Sequence, residues 1–197
     1  MTEEEFLEEY KKQVYPKPAV TADTVLISEE DNECKVLLIK RGNHPCKDCF
    51  AFPGGFAEPG ETIDMAARRE LLEETGVDIP NLQPIRVFSA PNRDPRGWTM
   101  TEAYIGKVKA DELQVSAGDD ASDARWFSLS HKRDGEERSI TLTYKEETIS
   151  IRVSGMEDQG LMPKIKLLSS ENIAFDHGLI MAYALHRYEY LKRTKEW

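Results

Sequence analysis

Three glutamates on one predicted helix could together hold a divalent cation. Glu70, Glu73 and Glu74 are spaced i, i+3 and i+4, so a helix places them on one face. Carboxylates so close repel one another, and a divalent cation would turn that repulsion into binding. Their oxygens suit hard Mg²⁺ or Mn²⁺, which keep several waters and bridge substrate phosphates. Arg69, four residues before Glu73, can pair with that glutamate and orient it.

These glutamates belong to a longer pattern in the segment GFAEPGETIDMAARRELLEETGV, which runs from Gly55 to Val77. The pattern is a glycine, five residues, a glutamate, seven residues, and then R-E-aliphatic-x-E-E-x-G-aliphatic. With each residue type at a frequency of about 7%, seven chance matches occur on the order of once in a hundred million windows. A solvated acidic helix face would explain a bare glutamate cluster, but it does not explain the whole pattern.

This segment resembles the motif of the Nudix hydrolases, which cleave a nucleoside diphosphate linked to another moiety with a divalent metal ion and water. The resemblance implies that Glu70, Glu73 and Glu74 are metal ligands and that the Gly54 carbonyl is a further ligand. It also implies that Arg69 orients Glu73 for catalysis. The metal ion, Mg²⁺ or Mn²⁺, would neutralise pyrophosphate charge and lower the pKa of an attacking water.

The general base has two candidates on a loop before a predicted strand. In the resembling family the base lies either within the motif or on a later loop. Asp119 and Asp120 precede the strand predicted at Ala124–Leu129. We favour Asp120 as the base, and the alternative is that it is a solvated loop acid.

A second resemblance concerns the substrate. The segment SAPNRDPR, Ser89 to Arg96, resembles the S-x-P-x-R-D-P-R segment of the ADP-ribose pyrophosphatase-like subgroup. Arg93 and Arg96 could contact phosphate or ribose through forked donors, and the alternative is a surface turn with a local Arg–Asp pair. Two other segments fit the same subgroup: RGNHP, which begins at Arg41, and FDH at residues 175–177. Arg41 is therefore a third candidate for a substrate contact.

The favoured function is therefore hydrolysis of ADP-ribose to AMP and ribose 5-phosphate. The RGNHP and FDH segments also occur in Nudix-type transcriptional regulators that sense ADP-ribose, so they indicate the ligand more than the reaction. A regulator would need a DNA-reading helix-turn-helix module, whereas the residues after the last predicted strands form a single predicted helix. A third possibility is a hydrolase of another nucleotide, such as a sugar nucleotide, a dinucleotide or an oxidised nucleotide. Because resembling proteins are commonly dimers, we expect a homodimer.

The composition excludes several other classes of protein. The chain has 197 residues and a net charge of −10, which argues against a binder of nucleic acid backbones. It contains no apolar run of about 18 residues, and so no membrane span is expected. The acidic start MTEEEFLEEYKKQ lacks the features of a signal peptide, and we expect a cytoplasmic protein.

The predicted elements that must position these residues form an α/β (α+β) domain. We expect an N-terminal helical arm over residues 1–17 and a Nudix domain over residues 18–197, with a mixed sheet sandwiched between helices. The strands and the first long helix follow from β-branched runs and helix caps: Ala19–Ser28, Lys35–Lys40, Thr62–Thr75 (helix), Ile85–Ala90, Met100–Val108 and Ala124–Leu129.

Two further features lie outside a minimal core. Residues 139–153 predict an added β-hairpin, either a dimer arm, a lid or a surface decoration, and residues 170–192 predict a long C-terminal helix. Cys46 and Cys49 form a C-x-x-C pair, which supplies only two of the four ligands that a zinc site needs. We therefore expect these cysteines to pack against apolar neighbours, and a zinc or redox role is the alternative.

Overall fold

The computed structural model describes residues 1–31, 33–110, 121–156, 160 and 162–197. Among these residues, ten strands and three helices follow in chain order: α1 (Glu3–Lys11), β1 (Ala19–Glu30), β2 (Glu33–Arg41), β3 (Phe50–Ala51), β4 (Gly54–Phe56), α2 (Ile63–Thr75), β5 (Gln83–Phe88), β6 (Thr99–Val108), β7 (Ala121–Asp134), β8 (Glu137–Tyr144), β9 (Glu147–Ser154), β10 (Lys166–Glu171) and α3 (His177–Thr194). Within this described part, no helix is both long and apolar enough to cross a membrane.

The strands form one mixed sheet in the order β10-β9-β8-β7-β2-β1-β6-β5, and β3 and β4 pair with β2 and β1. The central strand β1 pairs with β6 in parallel and with β2 and β4 antiparallel. The register places Asp23 of β1 opposite Gly54 of β4. The predicted mixed sheet is confirmed. Its central strand β1 pairs with β4, which lies in the segment just before α2.

Helices cover both faces of this sheet. On one face, Leu71 of α2 packs with Leu26 of β1 and Leu37 of β2. On the other, Ile180 of α3 belongs to the large core cluster that also contains Val25. Because β1 buries both of its faces, its buried residues run without a break from Thr21 to Ser28 instead of alternating with exposed ones. The predicted sandwich of a sheet between helices is confirmed.

Local signals fix the ends of α2. The Thr62 side chain caps its first turn by accepting a hydrogen bond from the Met65 N–H at 3.3 Å. At the other end, Gly76 adopts the left-handed conformation (φ 72°), and its N–H donates to the Leu72 carbonyl at 2.8 Å. The predicted helix over Thr62–Thr75 is thereby confirmed, with Thr62 as its N-cap and Ile63–Thr75 as its helical residues. A capping box between Thr2 and Glu5 likewise fixes the start of α1.

The C-terminal helix begins at His177, so the prediction that it starts at residue 170 is wrong. Residues Lys166–Glu171 form β10 instead and pair with β9. Asn172 and Phe175 have left-handed backbone angles (φ 62° and 49°), which no α-helix can continue through. Ser169 and Ser170 have side chains suited to a helix N-cap, but both residues belong to this edge strand.

The β8–β9 hairpin is an integral part of the sheet. The inward side chains of Ile140, Leu142, Ile149 and Ile151 are fully buried in the main core. Strand β7 is longer than predicted and extends to Asp134. Its residues from Ser128 to Asp134 pair with β8. A surface decoration is therefore excluded, because the hairpin supplies core residues against α3.

Candidate active site

A cavity of about 360 Å³ opens between the N-terminal half of the motif segment, α2 and the start of α3, and this volume is large enough for a small ligand. Its walls come from six separate parts of the chain, brought together by the sheet. The lining residues are Thr21, Asp23, Ile39, Arg41, Gly42, Asn43, His44, Phe52, Gly54, Gly55, Phe56, Glu58, Glu70, Glu74, Arg93, Asp94, Arg96, Phe175 and His177.

Two glycines allow the floor of the cavity to form. A Cβ atom on Gly54 would lie 2.1 Å from the backbone oxygen of Ala22, so only glycine lets β4 approach β1 here. A Cβ atom on Gly55 would lie 2.4 Å from the carboxylate of Glu70. The Gly54 N–H donates to Glu74 Oε2 at 2.8 Å and so fixes that carboxylate. The glycines therefore bring the strand backbone and two helix glutamates together.

The glutamates of α2 are divided between the cavity and the outer surface. Glu70 and Glu74 line the cavity, whereas Glu73 does not, and its side chain is 57% exposed. Burial raises the pKa of Glu74 to about 8, the Gly54 N–H opposes that rise, and the charges of Glu70 and Asp23 add to it. Burial also raises the pKa of Glu70. A cation in the cavity would oppose these rises in pKa, because it favours the charged form of each carboxylate.

Arg69 holds the outer side of this cluster. Its guanidinium contacts Glu70 Oε1 at 2.8 Å, Glu73 Oε2 at 3.1 Å and Glu61 Oε1 at 2.7 Å. Hydrogen bonding to Glu61 raises the pKa of Arg69 above its ordinary value, and the bonds to the other two glutamates act in the same sense. The predicted pairing with Glu73 is present, but Glu61 is a further anchor that sequence reasoning did not assign.

This arginine also explains the arrangement of the carboxylates. Within the described part of the chain, no three His, Cys, Asp or Glu side chains are grouped as ligands of one ion. Arg69 contacts one oxygen of Glu70 and draws Glu73 outward. The chemistry of the donors nevertheless fits a hard cation, because Glu70 and Glu74 are carboxylates that line the cavity. The charge of Glu70 raises the pKa of Glu74, so the two carboxylates repel each other when both are charged.

Arg93 lies deep behind the cavity, with its side chain only 4% exposed. Its Nε and Nη2 donate to the two carboxylate oxygens of Asp176 at 2.9 and 2.7 Å. The same guanidinium is 3.9 Å from Asp23 Oδ2. Because its donors are held by a carboxylate just before α3, Arg93 joins the SAPNRDPR loop to that helix.

His177 completes this buried network. Its Nδ1 accepts a hydrogen bond from the Phe52 N–H at 3.0 Å, and its ring stacks on the Phe52 ring. Burial lowers the pKa of His177, so the imidazole is neutral and carries its proton on Nε2, which faces Asp23 Oδ1 at 3.7 Å. Asp23 Oδ2 also accepts a hydrogen bond from Thr101 at 2.7 Å. The network ties β1, β6 and α3 together with Phe52, the residue after β3, at the back of the cavity.

Arg96 and Arg41 lie nearer to the open side. Arg96 pairs with Asp94 through Nε and Nη2, lies 4.8 Å from the centre of the Phe56 ring, and is 39% exposed. Arg41 lies 5.1 Å from the centre of the Phe175 ring and donates to the Pro45 carbonyl. The local Arg–Asp pair considered for this segment is therefore formed by Arg96 rather than by Arg93.

The structure gathers most of the predicted site residues but not all of them. Gly54, Glu70, Glu74, Arg41, Arg93 and Arg96 line the cavity, and Arg69 and Glu73 lie beside it. Asp120 lies outside the described residues. Sequence reasoning missed Asp23, although a charged residue inside an apolar strand was a usable signal, since such residues are seldom buried without partners.

Comparisons with known proteins show the family of this chain. A family model described as the NUDIX domain matches residues 17–143. An ADP-ribose pyrophosphatase of Methanocaldococcus jannaschii is 48% identical over 122 residues, which are 61% of this chain and 68% of the relative. An ADPR responsive transcriptional repressor, NtrR, of Acinetobacter baylyi is 36% identical over 132 residues, which are 65% of this chain and only 52% of the repressor.

Two solved structures share the fold over nearly the whole chain. A MutT/nudix family protein from Enterococcus faecalis has a TM-score of 0.76 and 34% identity, and the match covers 98% of this chain and 74% of that one. The NUDIX domain of Shewanella oneidensis NrtR, complexed with ADP ribose, has a TM-score of 0.68 and 26% identity, with 95% and 99% of the two chains covered.

Proposed function

The chain belongs to the Nudix family and is a Nudix hydrolase, and from that premise we propose that it hydrolyses ADP-ribose to AMP and ribose 5-phosphate. The observation that carries this proposal is one cavity lined both by carboxylates of α2, Glu70 and Glu74, and by the side chains of Arg41 and Arg96. The pyrophosphatase that is 48% identical supports the choice of substrate. The structural relative complexed with ADP ribose supports it as well.

The family's divalent cation, which we propose is Mg²⁺ or Mn²⁺, would be held by Glu70 and Glu74. Glu73 and the Gly54 carbonyl are the further proposed ligands. When bound, such an ion neutralises pyrophosphate charge and lowers the pKa of an attacking water. Arg69 positions the glutamates through its bonds to Glu70 and Glu73. Asp120 remains the proposed general base.

Arg96 and Arg41 are the proposed contacts for the substrate. Each guanidinium lies over an aromatic ring, which holds it in place and excludes water from one of its faces. Such arginines recognise diphosphate oxygens with little loss of conformational entropy. Arg93 is proposed as a positioning residue, since its buried guanidinium is occupied by Asp176.

The domain organisation stays a proposal: an N-terminal arm over residues 1–17 and a Nudix domain over residues 18–197. We propose a homodimer, and the arm supports it, because α1 exposes Phe6, Leu7 and Tyr10 and buries none of its residues. A cytoplasmic location and the absence of a nucleic acid partner are proposed from the composition, with its net charge of −10.

An ADP-ribose-sensing regulator is the second candidate, favoured by the 36% identity to the repressor. The motif argues for catalysis, because its glutamates and its arginine are all present: Glu70, Glu73, Glu74 and Arg69. A sensor that binds its ligand without hydrolysing it does not need these residues. Hydrolysis of a different nucleotide is the third candidate. Turnover and its product separate all three candidates.

The test incubates the protein with Mg²⁺ or Mn²⁺ and a panel of ADP-ribose, NADH, sugar nucleotides and nucleoside triphosphates, with products separated by chromatography. We expect AMP and ribose 5-phosphate from ADP-ribose, and no product when the metal is chelated. Glu74→Gln should lower kcat/KM at limiting metal by about 10²-fold or more, whereas Glu73→Gln should cost less, because Glu73 lies outside the cavity. Turnover of triphosphates alone would refute the substrate, and equal effects of the two variants would refute the division of roles.

A further inference from the structure

The segment from Arg41 to Cys49 forms a closed loop beside the cavity. The Arg41 N–H donates to the Cys49 carbonyl at 3.0 Å, and the Asp48 N–H donates to the Arg41 carbonyl at 2.9 Å. The Arg41 side chain donates to the Pro45 carbonyl at 3.0 Å and so crosses the inside of the loop. The two ends of the loop are therefore fixed, and the residues between them form part of the cavity wall: Gly42, Asn43 and His44.

Two cysteines occupy the ends of a tight turn at the base of this loop. The Cys49 N–H donates to the Cys46 carbonyl at 3.2 Å, and Asp48 has the positive φ (66°) expected at the third position of a type II turn. A β-turn brings its outer Cα atoms within about 7 Å, and disulfides join Cα atoms up to about 6.8 Å apart. Both thiols are free, and both side chains pack against the same apolar cluster.

The cysteine pair also contacts a second wall of the cavity. Cys46 and Cys49 pack in one apolar cluster with Phe175 and Ala174. Phe175 lines the cavity, and its ring lies beneath the Arg41 guanidinium. A change in the positions of the two sulfur atoms therefore alters the packing of both the loop and the segment that precedes α3.

We propose that Cys46 and Cys49 form a reversible intrachain disulfide that fixes the cavity-lining loop. The oxidant is a low-molecular-weight disulfide, such as oxidised glutathione. The Cys46 thiolate attacks one sulfur of that molecule, which forms a mixed disulfide and releases one small thiolate. Cys49 then loses its proton and attacks the Cys46 sulfur, which closes the intrachain bond and releases the second small thiolate. Two protein thiols are oxidised, and one external disulfide is reduced to two thiols.

The surroundings assign the order of these steps. Burial raises the pKa of the Cys49 thiol, and the charge of Cys46 and the hydrogen bond to it raise that pKa further. Cys49 therefore keeps its proton while Cys46 attacks. The third cysteine, Cys34, lies on β2 and packs against the main core, where burial raises the pKa of its thiol. It provides an internal reference that should stay reduced.

The test places the folded protein in glutathione buffers of increasing oxidised fraction, blocks free thiols after an acid quench, and maps the cysteines by mass spectrometry. We expect the wild type and Cys34→Ser to lose two thiols together through a Cys46–Cys49 link that dithiothreitol reverses, and Cys46→Ser to form no intrachain disulfide. Three free thiols in the most oxidising buffer would overturn the proposal. A link only between chains, or one to Cys34, would overturn it too.

A second arm, which rests on the proposed function, measures the KM for ADP-ribose. A disulfide that holds the loop in its closed form removes ordering cost on binding, so the oxidised enzyme should have a KM lower by about fivefold, near the lower limit of typical coupling. Cys46→Ser should show no response to the buffer. An unchanged wild-type KM would overturn the link to the cavity. Because the thiol count needs no hydrolysis, failure of the substrate assignment leaves the first arm interpretable.

Discussion

Replacing Gly55 by alanine should disable the proposed metal site while leaving the fold intact. The new Cβ would lie 2.4 Å from Cδ and Oε1 of Glu70 and 2.5 Å from Oε2. Ordinary contacts between such atoms are about 3.5 Å, so the carboxylate must move by roughly 1 Å. A misplacement of about 1 Å in a reacting site costs about 10²-fold, and we therefore expect kcat/KM to fall by about that factor.

The stability of this variant should change little. Gly55 is not among the residues with a positive φ, so alanine is not strained there by its backbone. The atoms that must move are the end of a flexible side chain. Alanine also lowers the conformational entropy of the unfolded chain, which is worth about 0.4–1 kcal/mol in favour of folding. We expect the free energy of unfolding to remain within about 1 kcal/mol of the wild type.

The neighbouring glycine provides the matched control. In Gly54→Ala the Cβ would meet the Ala22 backbone oxygen at 2.1 Å and the Asp23 Cα at 2.8 Å, and neither atom can move without parting β4 from β1. This variant should lose about 1–3 kcal/mol or more of stability. Thermal unfolding and the dependence of ADP-ribose hydrolysis on Mn²⁺ concentration separate the two effects. A Gly55→Ala enzyme with wild-type activity and metal dependence would refute the role of Glu70, and an unfolded one would refute the packing argument.

Three further predictions concern the SAPNRDPR loop. Arg93→Met should cost about 3–5 kcal/mol of unfolding free energy in chemical denaturation, because it leaves the Asp176 carboxylate unpaired, and a loss below about 1 kcal/mol would contradict the positioning role. Arg96→Lys should raise the KM for ADP-ribose about tenfold with kcat nearly unchanged, and a fall in kcat alone would exclude a binding role. Burial raises the pKa of Asp94, but hydrogen bonds from Arg96 outweigh it and hold that pKa below its ordinary 3.8. Its contribution to stability is therefore complete above pH 3.8 and is lost as the pH falls through the lower folded value, so Asp94→Asn should flatten the acid limb of stability against pH.

Much of the fold could be predicted because its signals are local. Thr62 and Gly76 mark the ends of α2, and β-branched runs mark the strands. The wrong start of the C-terminal helix came from the same kind of signal. Ser169 and Ser170 are good helix caps, yet the open edge of β9 engages their backbone in β10. Strand pairing with a distant partner outweighed a local preference.

The amino-acid sequence by itself determined the chemistry of this protein, since the spacing of Glu70, Glu73 and Glu74 on one helix requires only local geometry. Only the tertiary structure decided which side chains line the cavity. It turned Glu73 outward, joined Arg93 to Asp176 across 83 positions of sequence, and placed Asp23 opposite Gly54. Those contacts depend on the order and register of the whole sheet, which no local pattern encodes, because each strand can pair with several partners until the core selects one arrangement.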